Sequence, residues 1–145
     1  MFFLFVMLFV YSCDSKKQLT YTNTININDT IVAPNNCLVV AEIVEILPFV
    51  DKEDGELCSK VPCNAIVNID KVIAYGSSFP VVLSSKKQLI VNFKHSLKAT
   101  KEIEEKTNYL LPGLKKGNKF KANIEAIEQV GELKIKYTIY YYQKL

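Results

Sequence analysis

The sequence predicts an all-β domain, a five-stranded antiparallel barrel with one short helix between its third and fourth strands. Apolar and polar side chains alternate along several segments, these segments are rich in Val and Ile, and they end at Pro, Gly or Ser. Alternation with a period of two is what a sheet requires when one face is buried and the other meets water. A single charge-rich segment interrupts this pattern and is predicted to be helical.

The first two strands have different signatures. The first is predicted over residues 37–47, CLVVAEIVEIL, because Val and Ile are dense there and Pro48 ends the run. In the second strand, apolar residues alternate with Asn and Asp until the turn at Gly76. The inward residues of this second strand are predicted to be Ala65, Val67, Ile69, Ile73 and Tyr75.

The remaining three strands follow the same rule. The third is predicted to turn one set of apolar residues inward, with Ile90 as the exception on the polar side. The fourth and fifth strands carry Lys, Asn, Glu or Thr on their outer side. The predicted inward residues are Leu89, Val91 and Phe93, then Phe120, Ala122, Ile124 and Ala126, and finally Leu133, Ile135, Tyr137, Ile139 and Tyr141.

The helix is predicted over residues 97–107, LKATKEIEEKT, which are good helix formers and are followed by a Pro-Gly break. Three strands, a short helix and two more strands resemble the order of an OB-fold, a five-stranded Greek-key barrel. Residues 111–122, LPGLKKGNKFKA, resemble the turn that enters the fourth strand in OB-fold and netrin-like (TIMP-like) barrels, and residues 72–76 resemble a netrin-like strand end. The resemblance covers about residues 37–143 and implies a barrel domain over residues 35–145.

The N-terminus predicts export. Residues 2–11 are ten consecutive apolar residues, about half of the ~20 needed to cross a membrane as a helix. Residues 1–12 are therefore interpreted as a signal peptide that ends at the small residue Ser12. The alternative is a buried N-terminal strand.

A lipid anchor is implied by a resemblance. Residues 10–13, VYSC, resemble a bacterial lipobox, which implies that Cys13 becomes an acylated N-terminus anchored in the membrane of a bacterial cell envelope, on the periplasmic or the surface side. Residues 13–34 are then a lipidated N-terminus and a polar tether. Within it, Asp29-Thr30-Ile31 resembles an O-glycosylation acceptor of Bacteroidetes-type bacteria, which implies a glycan on Thr30.

The charge balance argues against a nucleic-acid partner. The net charge is only +3, and all 18 basic residues are Lys. The bidentate fork that fits phosphates and guanine edges belongs to Arg.

The cysteines predict a disulfide rather than a metal site. With Cys13 lipidated, three cysteines remain, and Cys58 and Cys63 are predicted to pair in an oxidising compartment. A pairing of Cys37 with either of them stays open. The four-residue spacing and the single imidazole, His95, do not suit zinc, and no cofactor is predicted.

The sequence predicts a binding function and no catalytic activity, since it offers no nucleophile with an orienting base and acid. Alternation predicts that Tyr140 and Tyr142 project opposite to Tyr137 and Tyr141, so one pair is exposed. Tyr140 and Tyr142 are taken as a possible binding face, together with the basic residues Lys119 and Lys121.

Two functions are therefore weighed. The first is a non-catalytic envelope lipoprotein that binds a protein or glycan partner through its barrel face. The alternative is an exported peptidase inhibitor of netrin-like or TIMP-like type that acts through the loop of residues 48–63.

Overall fold

The computed structural model describes residues 31–48, 56–103, 110–131 and 134–145. These ranges are mostly β, with the short helix α1 (Glu56–Lys60) and a single 3-10 turn (Thr100–Glu102). The strands in the described ranges are β1 (Asn36–Ile46), β2 (Asn64–Tyr75), β3 (Gln88–Phe93), β4 (Lys119–Glu128), β5 (Ile135–Ile139) and β6 (Tyr142–Lys144).

Five of these strands close into a barrel. The order is β1-β2-β3-β5-β4, and a β1–β4 pairing closes the ring. The pairs β1–β2, β2–β3, β4–β5 and β1–β4 are antiparallel, whereas β3 and β5 run parallel. The predicted barrel is confirmed, but its all-antiparallel arrangement is wrong. Neighbouring strands can all run antiparallel around a closed ring only when the number of strands is even. A closed ring of five strands therefore requires at least one parallel pair.

The predicted inward positions of β4 are confirmed, because Phe120, Ala122, Ile124 and Ala126 are all buried. On β2 the prediction holds only for the first half of the strand. The β1–β2 register shifts three times, and two of these shifts leave Asp70 and Ile73 as extra residues on β2. Each extra residue reverses the alternation beyond it. Ile73 is therefore 37% exposed, although the sequence predicts it inside. The two reversals cancel at Tyr75, which lies opposite Cys37 at the end of β2. Tyr75 is nevertheless 44% exposed, against the prediction, and its hydroxyl forms hydrogen bonds with the Leu83 backbone.

The predicted fifth strand is divided by a bulge. Glu125 pairs with Thr138 on β5, and Ala122 pairs with Tyr142 on β6. On β4, the two residues 123 and 124 lie between these pairs. On the segment from β5 to β6, the three residues 139, 140 and 141 lie between them. The extra residue shifts the register by one, so Tyr142 points inward and is only 4% exposed. The prediction that Tyr142 belongs to an exposed binding face is therefore wrong.

Tyr142 completes an aromatic cluster inside the barrel. Its ring lies edge-on to those of Phe93 and Phe120, with centroid separations of 6.0 Å and 6.3 Å, and the two Phe rings are 5.7 Å apart. The Tyr142 hydroxyl accepts a hydrogen bond from the Gly113 N–H at 3.1 Å. This partner removes the cost of burying a hydroxyl in the core.

The connection from β3 to β4 covers one end of the barrel. Leu97, Leu111 and Leu114 are buried in the core cluster. The Leu114 N–H donates to the Leu97 carbonyl, and the Thr100 N–H donates to the Leu111 carbonyl. In the described part of this connection the helical structure is the turn Thr100–Glu102, and residues 104–109 lie outside it. The helix predicted for residues 97–107 stays a prediction.

A disulfide fixes the approach to β2. Cys58 and Cys63 are bonded, as the sequence predicts, and Cys37 is a buried free thiol. Beside the bond, the Pro62 carbonyl accepts from the Leu97 N–H, and the Cys63 carbonyl accepts from the Phe93 N–H. These backbone hydrogen bonds hold the start of β2 against the end of β3, and the disulfide ties α1 to the same point.

Two glycines provide a matched test of how the connection between β3 and β4 packs on the barrel. Gly113 and Gly117 both have a positive φ, at 78° and 81°. A Cβ on Gly113 would lie 2.6 Å from the Ala99 nitrogen, whereas a Cβ on Gly117 would meet no atom within 4 Å.

We predict that Gly117→Ala lowers the free energy of unfolding by about 1 kcal/mol, the cost of the left-handed backbone. Gly113→Ala should lose about 1–3 kcal/mol more because it also overpacks the end of the barrel.

Urea unfolding followed by near-ultraviolet circular dichroism measures both losses. Equal losses for the two variants would show that the Gly113–Ala99 contact does not constrain the barrel.

Alkaline pH should destabilise the protein through two core groups. Burial raises the pKa of the Cys37 thiol from 9.0 to about 11, and burial also raises the pKa of the Tyr142 phenol from 10.0 to about 12, against a lowering by the Gly113 hydrogen bond. Between the unfolded and folded pKa values the unfolded chain has lost its proton and the folded chain keeps it. Stability is therefore complete below pH 9 and falls as the pH rises toward 12, by about 3 kcal/mol at most for each group.

The Cys37→Ala variant isolates the first of these groups. Its free energy of unfolding, measured in urea from about pH 8 to 11, should fall less steeply than that of the unmodified protein above the ordinary thiol pKa. Parallel pH dependences would mean that the Cys37 thiol is not held protonated by the fold.

Candidate binding surface at the strand bulge

The bulge turns two consecutive tyrosines toward the outside. Ile139 is buried in the core, so Tyr140 and Tyr141 together lie opposite Asn123 of β4. They are 42% and 40% exposed. A bulge that places two residues opposite one commonly re-aims side chains at the surface of a sheet. We call Tyr140, Tyr141, Asn123 and Glu125 the bulge surface.

Tyr141 is held by a neighbouring ring. The centroids of His95 and Tyr141 are 5.4 Å apart, and the two ring planes make an angle of 35°. His95 follows the end of β3, which is the strand beside β5. Burial, with a smaller contribution from the charge of Lys94, lowers the pKa of His95. His95 is therefore neutral at pH 7 and acts here as an aromatic support.

Tyr140 contacts the carboxylate of the bulge surface. The negative charge of Glu125 makes the largest contribution to raising the pKa of Tyr140, with smaller contributions from burial and from a hydrogen bond to Glu125, while the charge of Lys136 lowers it. Tyr140 is therefore close enough to one carboxylate and one ammonium group for both charges to affect its pKa. This part of the surface therefore carries both a negative and a positive charge.

Two acceptor atoms of the bulge surface have no donor among the described residues. They are Asn123 Oδ1 and Glu125 Oε2, both shielded from solvent. They share the outer face of β4, because their positions are two residues apart on one strand. Buried acceptors in native proteins nearly always receive a hydrogen bond, so a pair of them without one needs an explanation.

The surroundings of Asn123 are partly apolar. Leu38 of β1 lies opposite Asn123, outside the barrel core, and is only 1% exposed. On the other side of β4, Thr138 lies opposite Glu125 and is also buried. The two acceptors therefore lie in a covered part of the outer face, beside exposed aromatic rings.

A polar row continues around the barrel from Thr138. Asn92 of β3 lies opposite Thr138, and its Nδ2 donates to Asn64 Oδ1 of β2 at 2.9 Å. Uncharged amide and hydroxyl groups, of which Thr138 and Asn92 are buried, thus continue from the bulge surface onto two further strands.

The two lysines predicted for the binding face are only partly brought to it. Lys121 is two residues from Asn123 on the outer face of β4. Lys119 is four residues away, about 13 Å along the strand. The Lys119 ammonium lies 2.7 Å from Asp70 Oδ2 and 4.0 Å from Glu42 Oε2, and the hydrogen bond to Asp70 contributes most to raising its pKa. Lys119 thus belongs to a separate ion-pair cluster.

Sequence reasoning missed Asn123, Glu125 and the exposure of Tyr141. The available signal was the run Tyr140-Tyr141-Tyr142 after Ile139, because strict alternation would bury Tyr141 and expose Tyr142. In the structure Tyr142 is buried and Tyr141 is exposed, because one extra residue interrupts the alternation after Ile139.

Several predicted sites lie outside the described residues, namely Cys13 and Thr30, together with residues 1–30 of the signal and tether and residues 49–55 of the predicted inhibitory loop. Within the described ranges, no helix is long and apolar enough to cross a membrane. The same ranges contain no cluster of three or more His, Cys, Asp or Glu side chains that could hold a metal ion.

The bulge surface can act chemically as a set of hydrogen-bonding and stacking groups.

In comparisons with protein families, curated proteins and solved structures, no match to this chain was found.

Proposed function

We propose that the protein is a non-catalytic binding module whose partner, a protein or a glycan, docks on the bulge surface. The observation that carries this proposal is the bulge itself, which places Tyr140 and Tyr141 side by side on the outer face, opposite Asn123. Exposed Tyr rings next to hydrogen-bonding groups are typical of recognition surfaces, since each ring supplies apolar area and a polar tip. Tyr141 is in addition braced by His95, which lowers the cost of ordering it on binding.

The proposed setting is the bacterial cell envelope. The lipobox-like residues 10–13 support an acylated Cys13, and the polar residues 14–34 support a tether that holds the barrel away from the membrane. The disulfide is consistent with an oxidising compartment. The order of three strands, a connection and two strands supports an OB-like barrel, a fold that carries ligands on its sheet face and loops.

A second candidate is a peptidase inhibitor acting through the loop of residues 48–63. The observation that favours it is the Cys58–Cys63 bond, which fixes the C-terminal end of this loop against the barrel. A loop that is ordered before binding loses less conformational entropy in a complex.

Site-specific photo-cross-linking in the native cell distinguishes a partner docked on the bulge surface from a peptidase held by the loop of residues 48–63. A photoreactive phenylalanine analogue would replace Tyr141, Lys60 or Val82 in three separate strains. All three positions are exposed, and Val82, 83% exposed in the connection after β2, is the matched control. We predict a discrete adduct, detected by mass spectrometry as a protein or glycan, from position 141 and none from position 82.

An adduct from position 60 alone would replace the proposed function with the inhibitor. Equal labelling from all three positions, or none from position 141, would refute docking at the bulge surface.

A further inference from the structure

The two acceptors without donors point to the chemistry of the ligand. We infer that the bulge surface binds an uncharged, hydroxyl-rich ligand, a neutral saccharide chain, whose hydroxyl groups donate to Asn123 and Glu125. This inference rests on the proposed function and names the class of ligand for the same surface.

The need for donors follows from Asn123 Oδ1 and Glu125 Oε2. Both atoms are shielded from solvent and receive no hydrogen bond among the described residues. A ligand that donates to them gains the free energy that each buried acceptor otherwise lacks. An apolar ligand would leave both acceptors without a donor.

The charges around the acceptors select an uncharged donor. Glu125 disfavours an anion such as a phosphate or a sulfated sugar. Lys136 is close enough to Tyr140 to affect its pKa, and Lys121 lies two residues from Asn123, so a cationic side chain would meet positive charge. A hydroxyl group donates a hydrogen bond without bringing a charge, and it also accepts one from the Asn123 Nδ2 group.

The aromatic rings supply the second feature that a sugar requires. Tyr141 is 40% exposed and packs against His95, so it offers a ring whose position is already restricted. The C–H face of a pyranose is apolar and packs on such a ring, while its hydroxyl edge remains available for hydrogen bonds.

Tyr140 lies next to Glu125, one of the two acceptor residues. It hydrogen-bonds to Glu125 and is 42% exposed, so its ring lies at the surface beside the covered carboxylate. Movement of the Tyr140 ring would bring a ligand hydroxyl to Glu125 Oε2, the oxygen that has no donor among the described residues. The ligand then supplies a hydrogen bond that this oxygen otherwise lacks.

Isothermal titration calorimetry of the natively processed, detergent-solubilised protein tests the inference. The probes are soluble neutral oligosaccharides with α- and β-linked hexoses and N-acetylhexosamines, together with a sulfated polysaccharide and an oligolysine peptide. We expect at least one neutral oligosaccharide to bind, and Asn123→Ala and Tyr141→Ala each to weaken that binding about tenfold or more. Val82→Ala, on an exposed residue outside the bulge surface, should change the affinity less than about twofold.

Two conservative variants separate hydrogen bonding from charge and from folding. Glu125→Gln keeps an acceptor and removes the charge, so it should retain saccharide affinity within about threefold, whereas a cationic ligand would be lost. Tyr141→Phe keeps the ring and should retain most of the affinity even if Tyr141→Ala were to unfold.

The absence of binding by every neutral oligosaccharide at about 10 mM would overturn the inference, and so would affinity that survives both Asn123→Ala and Tyr141→Ala. Binding of oligolysine that depends on Glu125 would assign the surface to a basic protein partner. If position 141 still cross-links to a protein while no saccharide binds, the proposed function stands and only the ligand class is wrong.

Discussion

A closed ring of five strands must contain a parallel pair, and the rest of this molecule is arranged around that requirement. The parallel pair is β3–β5, so the chain has to leave the end of β3, pass the barrel and return through β4 before β5 can run alongside β3. The connection between β3 and β4 makes this passage across one end of the barrel, where its leucines are buried. Gly113 in that connection donates to the Tyr142 hydroxyl, which links the covered end to the aromatic cluster.

The exposed tyrosines are a consequence of how the core is filled. Ile139 and Tyr142 are both buried, yet they are three residues apart, a spacing that period-two alternation does not allow. One extra residue restores the alternation and leaves Tyr140 and Tyr141 together outside. The surface proposed to bind a ligand is therefore fixed by the aromatic core beneath it, and it does not depend on the folding of a separate loop.

The sequence predicts most of the strands because their alternation is regular. The inward side of β4 and the Cys58–Cys63 pairing follow from local patterns, and both are found. Bulges are different, because an extra residue on one strand is defined by its partner strand. The exposure of Ile73 and the burial of Tyr142 therefore could not be obtained by counting along a single segment. The parallel pair could have been anticipated from the odd number of strands alone.

The position of Cys37 has a consequence for the order in which the chain matures. Thiol–disulfide exchange requires a thiolate that can reach a sulfur atom, and Cys37 is fully covered by β1, β2 and β4, with a pKa raised to about 11. Once the barrel has closed, this thiol has lost both its charge and its access. Any exchange of Cys37 with Cys58 or Cys63 is thus confined to the time before closure, and folding itself protects the correct bond from reshuffling.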